Sequence, residues 1–321
     1  MESFGEHWRR QATRKSLLTA MAFDALGSAL EPYSPKQRVN WFGGERVMLK
    51  RNARRVGTFN TQFMLLLLQT LAFTNPIEED MCKEYESDLK SVLGYYVEQV
   101  NQSRTHNRYI LMLRGAEDTG ISISVGMAIG YYGAMLGGTF EVLPLLESLC
   151  DSTASAVRLK SADRKDAYLY AVNIARLVRA GYFCAEHLEE LVIHGVVPKS
   201  LDKFVKHLID EHDNPSVFEG AFKGEHSNAT TQAQKVLAEV FYYMCRVNLQ
   251  HGSKEVPSTP RQQLPDIFGS PLSGLTDLAF VYGGVCTASE QNHTLLPNTY
   301  RENVGGAELV DELFNYVWPI V

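Results

Sequence analysis

Two stretches of the chain carry residue types suited to metal-dependent hydrolysis. The first is Phe23-Asp24-Ala25-Leu26-Gly27-Ser28-Ala29-Leu30-Glu31, with two acids seven residues apart, and the second is Thr58-Phe59-Asn60-Thr61, preceded by Gly57. A two-metal hydrolase needs several carboxylates converging on hard cations, because Mg²⁺ takes oxygen ligands and the anionic ones supply most of the affinity. Here the second stretch offers hydroxyls, an amide and a phenyl ring. The pattern has the outline of a metal site from which most of the acid is missing.

Other chemistries find less support. No G-x-S-x-G nucleophile turn occurs, and Ser122 and Ser124, in a Gly-bounded stretch, read as helix-start residues. The histidines at 187, 194, 207, 212, 226, 251 and 293 form no H-x-H or H-x-x-x-H pair, so they read as surface or packing residues. Gly43-Gly44 and Gly283-Gly284 lack the Lys-Ser/Thr of a phosphate loop and read as turns. Cys286 reads as a small buried hydrophobe.

The elements that must position these residues are helical. Leu17, Leu18, Met21, Ala22, Ala25 and Leu26 recur at helical spacing, which predicts a helix over 16–30, stopped by Pro32 and Pro35, with Asp24 and Glu31 near its C-terminal end. A Gly- and Arg-rich loop is predicted up to Gly57. Thr58 then caps a buried helix over 58–73, closed by Asn75-Pro76. An amphipathic helix follows at about 78–100. Glycines at 126, 130, 133, 137 and 138, with Ala128 and Ala134 between them, place small residues along one helix face and predict close interhelical packing. Further helical patterns cover 141–149, 163–180, 185–193, 201–209, 230–249, 274–281 and 307–317. No stretch alternates with period two for long enough to demand a sheet. The predicted fold class is all-α, one multi-helix domain over 1–321, with Pro257, Pro260, Pro265 and Pro271 marking a loop insertion at about 251–271.

Bulk properties narrow the partners. The chain has 31 basic and 37 acidic residues, a formal net charge of −6, and its basic cluster Lys50, Arg51, Arg54 and Arg55 is short, so no nucleic-acid partner is expected. Five widely spaced cysteines without a C-x-x-C pair point to reduced thiols and a cytoplasmic protein. Residues 1–15 lack the apolar core of a signal peptide, and the apolar run 63–68 is far shorter than the roughly 18 residues that span a bilayer. No membrane partner is expected, and the sequons at Asn101, Asn228 and Asn292 read as unmodified.

With these residues in view, the chain resembles the ADP-ribosylglycohydrolase family, an all-α fold whose members remove ADP-ribose from proteins with a two-Mg²⁺ centre. That family opens with a G-D-A-L-G helix ending in a metal-binding Glu, which the resemblance places at Asp24, Gly27 and Glu31. Its T-D-D-T motif falls on Thr58-Phe59-Asn60-Thr61, where both threonines remain and neither carboxylate does. Its Gly-rich helix falls on 120–138, with Gly126 and Ile129 where the family has Arg and Pro. Its C-terminal G-G-D-T-D-T motif is read at Gly283-Gly284-Val285-Cys286-Thr287-Ala288, again without acids. On this reading Glu31, Thr58, Phe59, Asn60, Val285, Thr287 and Ala288 are vestigial metal-site positions, and Asp24, Gly27, Thr61, Gly283 and Gly284 are motif remnants. Of five expected carboxylates only Glu31 is left, so the resemblance implies no metal, no cofactor and no catalytic residue.

Within that family the chain is similar to the J-type crystallins of the jellyfish lens, which serve as bulk refractive protein. The implied function is therefore structural: a soluble, cytoplasmic lens protein, free to self-associate at high concentration, on a fold that has lost its hydrolytic centre. The 15 Tyr, 15 Phe and 9 Met are compatible with a refractive role. Two alternatives remain: a pseudoenzyme that still binds ADP-ribose, and a hydrolase with a rebuilt or single-metal site using Asp24, Glu31, Thr58, Asn60 and Thr61.

Overall fold

The computed structural model describes residues 4–42, 58–102, 119–136, 142–180, 185–210, 229–252, 267–268, 270, 274–288 and 304–317, and no strand occurs among them. The order is α1 (Phe4–Leu30), α2 (Pro35–Phe42), α3 (Phe59–Thr74), α4 (Cys82–Gln102) behind a 3₁₀ turn (Glu79–Met81), α5 (Thr119–Leu136), α6 (Leu143–Val157), α7 (Ser161–Ala180), α8 (Ala185–Ile193), α9 (Lys199–Asp210), α10 (Gln232–Gly252), α11 (Leu275–Ala288) and α12 (Ala307–Glu312), which runs into a π-turn (Leu313–Val317). No helix among the described residues is long and apolar enough to cross a membrane.

Several predicted boundaries are corrected, the patterns at 141–149 and 274–281 running on to Val157 and Ala288. Helix α1 begins at Phe4 rather than at 16, and Thr13 and Ser16 continue its buried stripe, Thr13 by returning its hydroxyl to Arg9 O at 2.8 Å. Pro35 starts a helix instead of ending one: at the first helical position its missing N–H is no loss. Ser34 and Gln37 form the reciprocal cap, the Ser34 N–H donating to Gln37 Oε1 at 3.0 Å and the Gln37 N–H to Ser34 Oγ at 3.4 Å. Helix α10 continues through Gly252, two residues into the loop predicted at 251–271, and within that loop Ile267 and Phe268 are helical and buried. Gly43-Gly44, the basic cluster at 50–55 and most of that loop lie outside the described residues.

Helix α5 is buried all round from Gly120 to Ala134, the signature of a central helix. It packs on α3, α6 and α7. Its glycines allow that approach. A Cβ on Gly126 would stand 2.4 Å from Tyr170 Cβ and 2.5 Å from Ala167 O, and one on Gly130 would stand 2.8 Å from Ala171 O. The face expected from the glycine spacing is therefore the α5–α7 contact.

Helices α1 and α11 form a second close pair and run antiparallel: Gly27 meets Thr276 and Ala279, Phe23 lies over Gly283, and Ser16 donates to Gly284 O at 2.7 Å. Phe23 also packs with Phe268 and Tyr282, at ring-centroid distances of 6.0 and 6.1 Å.

Gly126→Ala tests the α5–α7 contact with opposing signs. Helix propensity alone favours alanine by about 1 kcal/mol, whereas the clash with α7 backbone costs about 2 kcal/mol or more. The expected result is a lower denaturant midpoint, and an unchanged or raised midpoint would contradict the packing.

Candidate functional site

The C-terminal half of α1, the N-terminus of α3 and the N-terminus of α11 converge. Helix α3 begins where it does because Thr58 takes the extended N-cap conformation, φ −66° and ψ −174°, and its hydroxyl accepts the Asn60 N–H at 3.2 Å. The same hydroxyl donates to Asp24 at 2.5 Å. Asp24 also accepts the Thr58 N–H at 3.0 Å, the Thr61 N–H at 3.3 Å and the Thr61 hydroxyl at 2.6 Å. The carboxylate thus sits against a helix N-terminus, where unpaired N–H groups and the helix dipole favour an anion. It is completely buried. Burial pushes the Asp24 carboxyl up from 3.8 to about 6, opposed by the hydrogen bonds from Thr58 and Thr61.

Asn60, 2% exposed, donates its Nδ2 to Asp277 Oδ1 at 2.7 Å, and its own Oδ1 is buried without a hydrogen-bond partner. Asp277 stands in the first turn of α11, entered through Gly274 at φ +94°, a conformation that glycine adopts without strain. Glu31, just past the end of α1 and exposed, accepts the hydroxyl of Thr276. Arg38 of α2 steadies that turn: it donates to Leu30 O at 3.2 Å, Tyr33 O at 2.7 Å, Glu31 O at 2.9 Å and Ser270 O at 3.3 Å. A guanidinium on the last carbonyls of α1 also suits the negative end of that helix.

Of the residues singled out in the sequence, Asp24, Glu31, Thr58, Asn60 and Thr61 meet here, and Gly27 lets α11 approach. Phe59 turns away into the core, 8% exposed and stacked on Phe63 at 5.4 Å. The C-terminal arm requires a correction. Gly283 and Gly284 are not a turn; they lie inside α11, packed against Phe23, Ala20, Met127 and Tyr131. Val285 is fully buried, and at 1.5 Å per residue it stands about 12 Å along the axis from Asp277. Thr287 and Ala288 end the same helix, with side chains outside the described residues.

The acid that does reach the cluster from this part of the chain is Asp277. The sequence signal is Ser273-Gly274-Leu275-Thr276-Asp277, which has a glycine, a threonine and an aspartate at G-G-D-T-D spacing, with Ser273 and Leu275 at the other two positions. The double glycine at 283 and 284 lies ten residues further along. The cluster therefore holds Glu31 and Asp277 beside Asp24, whose carboxylate is bonded to Thr58 and Thr61. Among the described residues no three His, Cys, Asp or Glu side chains come together as a metal-binding group.

The remaining candidates behave as packing groups. Ser124, inside α5, donates to Gly120 O at 2.6 Å and to Asn60 O at 3.3 Å. His187 is buried against Asn173 at 2.8 Å, and burial, with Arg176 second, lowers its imidazole to about 3. Cys286 is fully buried, and burial pushes its thiol far above the ordinary range.

No protein-family model matches the chain, and no curated protein matches it. The class that fold and site define is a predominantly helical protein with a polar knot of three threonines, an amide and three carboxylates where three helix ends converge.

The Asp24 carboxyl sets a pH dependence. Its folded pKa lies above the unfolded value, so its contribution to stability is complete below about pH 4 and is lost as pH rises to about 6. The span amounts to about 3 kcal/mol. In thermal melts from pH 4 to 7 the wild type should lose ground against Asp24→Asn up to about pH 6 and then run parallel to it. A constant difference across that range would refute the assignment.

Proposed function

We propose that this chain is a catalytically silent protein on an ADP-ribosylglycohydrolase-like helical fold, with a structural, refractive role of the crystallin kind. One observation carries the loss of catalysis: at the N-terminus of α3 the ring of Phe59 is stacked on Phe63, and the amide of Asn60 is spent on Asp277. A two-Mg²⁺ centre requires several anionic oxygens directed at the ions. Asp24 engages Thr58 and Thr61, Asp277 takes the Asn60 amide and Phe59 offers no donor, so this donor set does not fit two Mg²⁺ ions. What remains at the junction is hydrogen bonding that ties α1, α3 and α11 together, as a structural protein needs.

The reading is tested by incubating the protein with ADP-ribosylated arginine and serine substrates and added Mg²⁺. No release of ADP-ribose above the uncatalysed background is expected, and abundance as a dominant soluble component of lens tissue supports the refractive half. Robust Mg²⁺-dependent release would sink the proposal.

A second reading, a pseudoenzyme that keeps ADP-ribose affinity, is favoured by the orphan Asn60 Oδ1, a buried acceptor without a donor on the amide that donates to Asp277. A ligand that binds only the folded state raises the melting temperature. Titration with ADP-ribose should leave the melting temperature unchanged for a purely refractive protein. A saturable rise that Asn60→Ala removes would establish the second reading in its place.

A further inference from the structure

A group of arginines lies apart from this junction, where α1 packs on α7. Arg176 and Arg179 are three residues apart on α7, neighbours on the helix surface. Arg176 is 5% exposed and pairs with Glu190 of α8. Arg179 has no such carboxylate among the described residues, and its Nη1 is buried without a hydrogen-bond partner. Burial first, then the like charges of Arg9 on α1 and of Arg176, weaken the hold of Arg179 on its proton. The nearby His187 adds no positive charge near neutral pH, since its imidazole is lowered to about 3.

A buried, unpaired guanidinium N–H facing like charge is unfavourable when nothing accepts from it. A doubly charged tetrahedral oxyanion reverses each of these terms. It accepts from Nη1, offsets the repulsion among the guanidiniums, and presents paired oxygens to the planar guanidinium fork. A single carboxylate offers half that charge and fewer acceptors. We propose that Arg9, Arg176 and Arg179 form a binding site for a tetrahedral oxyanion, a phosphoryl group free or carried on a small molecule.

The test uses the full chain and inorganic phosphate, with sodium chloride at matched ionic strength as control. Wild type should show a saturable rise in melting temperature of about 3 °C specific to phosphate. Arg179→Gln should lose most of that rise. In chloride the same variant should melt at or above wild type, because repulsion from Arg9 and Arg176 is relieved, so the order of the two proteins inverts between the salts. Adenosine monophosphate, run in parallel with adenosine, separates the sources: a lower half-saturation than phosphate marks a carried phosphoryl group, and an equal one marks the free anion. Phosphate indistinguishable from chloride would overturn the proposal, as would an Arg179→Gln variant that melts below wild type by the same margin in both salts.

Discussion

The buried carboxylate of Asp24 is the interaction on which the rest of the junction depends. A desolvated carboxylate is tolerated only where donors surround it. Thr58 and Thr61 supply four, two from backbone and two from hydroxyls, and all belong to the first turn of α3. One side chain of α1 thereby fixes where α3 starts and how it is rotated. That rotation sends the ring of Phe59 into the core and the amide of Asn60 toward α11. Glu31 is set by α1 as well, just past the C-terminal end of that helix, in the turn that Arg38 holds.

Absence of side chains matters as much as their chemistry. Gly27 and Gly283 let α1 and α11 approach until side-chain and backbone atoms touch, and the ring of Phe23 fills the space over Gly283. Antiparallel packing at that distance brings the start of α11 beside the end of α1, so that Thr276 meets Glu31 while Asp277 meets Asn60. The polar knot thus rests on packing several turns away, and its groups bond mainly to one another. Such self-satisfaction suits a helix junction, because each donor withdrawn would leave a buried acceptor unpaired at a cost of about 1–3 kcal/mol.

Much of this was legible in the residues themselves. The cap at Thr58, the closing Asn75, the small-residue face of α5 and the burial of Cys286 follow from local rules of capping, backbone conformation and volume. The helix at Pro35 is legible too, through the Ser34–Gln37 cap, although a proline that begins a helix and one that ends it differ only in position relative to the helix start. The C-terminal arm is where local rules leave the structure open. Gly283-Gly284 has the look of a turn, and nothing local distinguishes a glycine pair that bends the chain from one that admits a neighbouring helix.

By itself, the amino-acid order determined that the described chain is helical, which residues begin and end several of its helices, and that acids are scarce in its metal-site-like stretch, because periodicity, capping and side-chain chemistry act over a few neighbours. Only the tertiary structure decided that Asp277 rather than position 285 joins Asn60, that Thr276 reaches Glu31, and that the charges of Arg9 and Arg176 act on Arg179. Those meetings depend on how closely and in which direction distant helices pack, and that is set by the combined shapes of both surfaces, which no single stretch of sequence contains.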